Sequence, residues 1–110
     1  SNIGLVFEKQ LLLDSALFYF KRSEQLGILQ EDAYALSFDR YNIGNILMKQ
    51  DKFQEAAIYL TAASNAAKES EVPKQIISSQ LLLATLYLQQ KRTKEGIQLM
   101  EDILRSIRMN

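Results

Sequence analysis

Residues Tyr41–Ala63 read YNIGNILMKQDKFQEAAIYLTAA, and the fold turns on how this stretch is divided. From Gln30 to Gln50 the apolar residues Ala33, Leu36, Ile43, Ile46 and Leu47 fall three, four or seven apart, the period of a helix with one buried face. From Phe53 onward Ala56, Leu60, Ala63 and Ala67 do the same. Gln50-Asp51-Lys52 carries no apolar residue and separates the two runs. A short polar break between two such helices predicts an antiparallel helical hairpin. No six-residue segment alternates cleanly, so strands have no support, and the abundance of Ala, Leu, Gln, Glu and Lys favours helix throughout.

Outward from this hairpin the chain repeats itself. Asn2-Ile3-Gly4 recurs as Asn42-Ile43-Gly44, an offset of 40 residues. The same offset pairs Gln10 with Gln50 and Gln90, Ala16 with Ala56, Tyr19 with Tyr59, and Glu55 with Glu95. By residue class it also aligns Phe20, Leu60 and Met100, and Gly4, Gly44 and Ala84. Gln90-Lys91-Arg92 breaks the chain at the phase of Gln50-Asp51-Lys52. Leu26-Gly27 reads as a helix stop, and Pro73 suits a first helical turn, where its missing N–H is tolerated. The predicted helices are 2–10, 13–26, 31–50, 53–69, 73–90 and 93–108, forming one all-α domain over 1–110 with units at 1–27 (partial), 30–69 and 73–108.

The composition excludes several classes of function. Thirteen basic residues balance thirteen acidic ones, so no overall field draws the 110-residue chain to nucleic acid or an anionic membrane. Histidine and cysteine are absent, which removes disulfides, the usual zinc sites and every Ser-His or Cys-His catalytic arrangement. No run approaches the roughly 18 apolar residues that a membrane span needs, and Glu8, Lys9 and Gln10 interrupt any secretory signal. A cytoplasmic location is the corresponding expectation.

The small residues at fixed phase resemble the tetratricopeptide repeat family, whose unit has a Leu-Gly-x-x-Tyr signature in its A helix and Ala, a large apolar residue and Ala in its B helix. The central unit gives Ile43-Gly44-x-x-Leu47, then Ala56, Leu60 and Ala63; the last gives Leu83-Ala84-x-x-Tyr87, then Gly96, Met100 and Ile103. The first gives Ile3-Gly4-x-x-Phe7, then Ala16, Phe20 and Ser23. The resemblance covers nearly the whole chain and implies a right-handed superhelix of antiparallel helix pairs, an α-solenoid. The unit departs from the common length of about 34 residues, and longer units of this kind look like those of bacterial regulatory and signalling proteins. Arg40 and Gln80 replace the early aromatic of the A helix, and Lys68 the usual inter-repeat proline. HEAT and armadillo repeats share the length but lack this small-residue phase.

The resemblance also implies a function: a non-enzymatic scaffold that binds a protein or peptide segment along a concave face built by the A helices. In the central unit that face comprises Phe38, Tyr41, Asn45, Met48 and Lys49; in the last, Leu81, Thr85, Leu88 and Gln89. Asn45 offers amide donors and an acceptor that suit the backbone of an extended peptide; otherwise it is a solvated residue on an amphipathic helix. Phe38 and Tyr41 supply apolar area or cover the neighbouring A helix, and Leu81 and Leu88 lean towards the core. Of the positions matching the family's carboxylate clamp (Ser1, Leu5, Asn42, Ser78 and Leu82) only Asn42 fits, which argues against a chaperone-tail adaptor.

The acidic pairs Glu31-Asp32 and Glu101-Asp102 point about 100° apart around a helix and read as solvated faces, not acid–base pairs. Lys91-Arg92 with Lys94 is too small and too poor in aromatics for a nucleic-acid groove. No cofactor is expected. The alternative to a peptide-binding scaffold is an architectural or oligomerisation segment of a larger sensor, regulator or enzyme. The apolar surplus at both ends, including Ile3, Leu5, Phe7, Ile97 and Leu104, leads to the expectation that the chain is a fragment of a longer array or self-associates through its ends.

Overall fold

The structure, a computed structural model, describes residues 2–109. Ser1, one of the clamp positions, lies outside the described residues. Five helices follow one another: α1 (Asn2–Leu29), α2 (Ala33–Lys49), α3 (Phe53–Glu69), α4 (Pro73–Gln89) and α5 (Thr93–Met109). There is no strand among the described residues. Each helix packs against the next, and α2 also approaches α4, whereas the backbones of α1 and α3, like those of α3 and α5, come no closer than 8 Å between Cα atoms. The resulting slab measures 50 × 37 × 18 Å, its thin dimension close to two helix layers.

The four turns share one design. Glu31, Asp51, Glu71 and Lys91 adopt φ between 52° and 62°, at intervals of twenty residues. At each, the amide three places after the helix end donates to a carbonyl five residues back: Asp32 to Gly27 (2.9 Å), Lys52 to Leu47 (2.9 Å), Val72 to Ala67 (3.0 Å) and Arg92 to Tyr87 (2.8 Å). The left-handed residue donates to the carbonyl three back, as Asp51 does to Met48 at 3.0 Å. These paired bonds form the Schellman closure that satisfies a helix's last carbonyls. Asp32 alone of the first three turn exits adds a side-chain cap, accepting the Ala35 amide at 3.0 Å.

The same chemistry explains one correction. Segments 2–10 and 13–26 are not two helices but the single, 28-residue α1. Leu11 stands at the phase of Asp51 and Lys91, and leucine favours helix while its Cβ resists positive φ. The chain therefore runs straight on where the later units turn. Gly27, expected to stop a helix, lies inside α1 with the turn beginning only at Gln30. A methyl at Gly27 would sit 2.9 Å from Leu36 Cδ2, so its small size serves the close crossing of α1 and α2.

The core lies where α2, α3 and α4 meet. Ile43, Leu47, Met48, Ala56, Leu60, Leu83 and Leu86 form it, with Leu17, Phe20, Tyr41, Phe53, Tyr87 and Leu99 packed around. Gly44 and Ala84, expected to face Ala56 and Gly96, do so. A methyl on Gly44 would lie 3.4 Å from the Ala56 carbonyl oxygen, and one on Gly96 3.3 Å from that of Ala84. The α1–α2 contact is more polar. Ser23 donates to Asp39 at 2.7 Å, Arg40 to Glu24 at 3.0 Å, and Gln50 to Asp14 at 2.8 Å.

Candidate functional site

The five α2 positions and the α4 positions predicted to bind a ligand are related by the forty-residue offset. Tyr41 matches Leu81, Asn45 matches Thr85, Met48 matches Leu88 and Lys49 matches Gln89. Because α2 and α4 are in contact, these two sets belong to neighbouring helices of the same kind. Spacings of three and four keep Phe38, Tyr41, Asn45 and Met48 on one side of α2, and Leu81, Thr85 and Leu88 on one side of α4.

The side chains divide by burial. Phe38, Tyr41 and Asn45 are half-buried, and Lys49, Leu81, Thr85, Leu88 and Gln89 are exposed. The Phe38 ring meets Tyr34 edge-on at 4.9 Å between centroids, and Tyr41 leans on the core cluster, so both are held by packing while keeping an accessible edge. The Thr85 hydroxyl donates to the Leu81 carbonyl at 3.0 Å, which leaves its methyl and a lone pair outward.

Met48 offers less than the sequence suggested, whereas Leu81 and Leu88, read as leaning towards the core, are each 42% exposed. Met48 is 9% exposed and belongs to the core, leaving it little surface to present to a ligand. Leu88 lies over Gly96, where an added methyl would meet its Cδ2 at 2.9 Å, so part of this side chain serves the α4–α5 crossing. What remains is a shallow strip of Phe38, Tyr41, Asn45, Lys49, Leu81, Thr85 and Gln89. Such a mixture of aromatic edges and uncharged hydrogen-bonding groups with one ammonium can hold an extended backbone.

A larger hollow lies elsewhere. Thr61 of α3, Leu83 and Tyr87 of α4, and Lys94, Glu95, Gln98, Leu99 and Asp102 of α5 enclose an open cleft of about 710 Å³. Leu83 and Tyr87 stand on the opposite side of α4 from Leu81, Thr85 and Leu88 at helical spacing. The cleft exists because α3 and α5 do not close over α4. Arg92 pairs with Glu95 and stacks 4.5 Å from the Tyr87 ring centroid, fixing one rim. The repeat signature Leu83-Ala84-x-x-Tyr87 marked Leu83 and Tyr87 as packing residues; the separation of α3 from α5 is a tertiary feature that no local pattern carries.

The fold and strip together define a class, an all-helical protein of consecutively packed helices with a forty-residue internal repeat. No family model matches the chain, and no curated protein or solved structure matches it either. Among the described residues no helix is long and apolar enough to cross a membrane.

Proposed function

We propose that this protein is a tetratricopeptide-like helical scaffold that binds an extended protein segment along the α2/α4 strip without catalysing a reaction. One observation carries the reading: α2 and α4 touch while α1, α3 and α5 remain apart. In a superhelix of hairpins the inner helices crowd together and the outer ones splay, so this contact pattern favours α2 and α4 as the lining of a concave face. The in-register partners Tyr41 and Leu81, and Asn45 and Thr85, then repeat one apolar and one hydrogen-bonding group along the groove. An extended peptide presents the same alternation.

The test is selection of phage-displayed peptides on the 110-residue chain, followed by affinity measurement on the Tyr41→Ala and Asn45→Ala variants. Loss of a contact worth about 1 kcal/mol weakens binding roughly fivefold. Enriched peptides that lose at least this much support the reading. Failure to enrich any peptide, or enrichment unaffected by both variants, overturns it in favour of an architectural segment.

A further inference from the structure

Helix α1 carries a line of large apolar side chains with a strict seven-residue interval. Leu5, Leu12, Tyr19 and Leu26 are 63%, 64%, 66% and 58% exposed. Leu12, Tyr19 and Leu26 each stand one residue before Leu13, Phe20 and Gly27, of which Gly27 abuts Leu36 of α2 and Phe20 packs on the core. The exposed line is therefore turned about 100° from the face that α1 gives to its own chain. Four such residues span about 31 Å of helix. An apolar residue every seven positions keeps one line of a helix facing the same way along its length, which suits a second helix lying beside it.

The repeat shows that the side of such a helix next to this line, ending at Leu26, is made for a helical neighbour. Forty residues on from Ala16, Phe20, Ser23 and Leu26 stand Ala56, Leu60, Ala63 and Ala66 of α3, between 0% and 4% exposed. At Ala56 and Leu60 the covering element is α2, through Gly44. In α1 the equivalent face is only partly covered, since Phe20 packs on the core and Ser23 bonds to Asp39 of α2 while Leu26 stays 58% exposed; Asn2–Gln10, which aligns with the end of α2, continues straight into α1 and does not fold back over it.

We infer that α1 is an antiparallel self-association surface, in which Leu5, Leu12, Tyr19 and Leu26 pack against the same residues of a second copy. The sequence of the line is self-complementary in that orientation. A two-fold axis between Ser15 and Ala16 sets Leu5 against Leu26 of the second copy, and Leu12 against its Tyr19. It also brings Glu8 beside Arg22 of the second copy, twice by symmetry, on one flank of the contact. A parallel pair would set Glu8 against Glu8 and Arg22 against Arg22, so charge selects the antiparallel arrangement. Ala16 and Ser23, between the large residues, are small enough to let two helix backbones approach.

This surface is distinct from the α2/α4 strip and stands or falls independently of peptide binding. Its test uses sedimentation equilibrium across concentration and engineered cysteines, since the chain has none of its own. Ala16→Cys, next to the two-fold axis, should form a disulfide-linked dimer after mild oxidation. Leu5→Cys alone should not, because its copies lie about 30 Å apart, whereas Leu5→Cys mixed with Leu26→Cys should cross-link. Tyr19→Glu should weaken association at least tenfold with helicity by circular dichroism unchanged, and Glu8→Arg combined with Arg22→Glu should associate more tightly than either alone. A monomer at all concentrations, cross-linking of Leu5→Cys by itself, or a dimer indifferent to Tyr19→Glu would overturn the inference.

Discussion

Gly44 of α2 and Leu60 of α3 are packed so closely that a methyl on Gly44 would lie 2.7 Å from both Cγ and Cδ2 of Leu60. Forty residues later the pair is Ala84 and Met100. The methyl that is forbidden at one crossing is present at the other, where the opposing side chain is unbranched and 42% exposed. Gly44→Ala gains about 1 kcal/mol of helix propensity, but must displace a branched side chain that is fully buried. We expect a net loss of about 1–2 kcal/mol, read by chemical denaturation. Gly44→Ala combined with Leu60→Met recreates the Ala84/Met100 pair and should recover part of the loss.

The α1–α2 and α3–α4 contacts occupy the same place in the repeat with different chemistry. Ser23 and Asp39 become Ala63 and Ser79, and Glu24 and Arg40 become Ser64 and Gln80. Ser79 keeps a hydroxyl whose oxygen is buried without a hydrogen-bond partner. Ser79→Ala should therefore stabilise the fold by about 1 kcal/mol. Arg40→Ala should cost about 2 kcal/mol, between the values for surface and buried pairs, because it strands a Glu24 carboxylate whose side chain is only 11% exposed. Equilibrium unfolding of both variants checks the contrast, and equal effects would refute it.

All four turns place a non-glycine residue in the left-handed region. Lys91→Gly and Asp51→Gly relieve the Cβ conflict while keeping the Schellman bonds, which go through the backbone. We expect each to raise stability by about 0.5–1 kcal/mol, since part of the relief is offset by the freer unfolded chain. The same change at Leu11 should not stabilise, because that residue is helical.

Tyr59 holds its phenolic proton above the ordinary range. Burial raises it most, the Glu24 and Glu55 carboxylates add to this, and the Arg40 guanidinium opposes them. The folded state binds this proton more tightly than the unfolded chain does. Its contribution to stability is thus complete below about pH 10, and is lost as pH rises through the folded-state value. In ultraviolet titration one of the five tyrosines should ionise late, and Tyr59→Phe should remove that phase.

Much of this architecture is legible in the sequence because period and small-residue phase are local properties. Ile43-Gly44-x-x-Leu47 and Ala56-x-x-x-Leu60 carry the hairpin, and both halves occupy the expected crossing. The break at Gln10–Leu12 misleads because its phase matches Gln50–Lys52, while the turn depends on which residue must take positive φ, and there it is Leu11. Gly27 misleads for the converse reason: a glycine that permits close approach looks like one that ends a helix. The strip on α2 was legible as a helical face, but the burial of Met48 depends on how the neighbouring helices close on it. The cleft over Leu83 and Tyr87 depends on the spread of α3 from α5, which is set by whole-helix packing.

The α2/α4 strip and the cleft lie on opposite sides of α4, so residue-resolved amide chemical-shift mapping with a selected peptide tests the central claim most directly. The account expects the largest changes at Phe38, Tyr41, Asn45, Leu81 and Thr85, with Thr61, Lys94, Gln98 and Asp102 little affected. Changes concentrated instead at Thr61, Lys94, Gln98 and Asp102 would contradict it and move the binding surface to the other side of the slab.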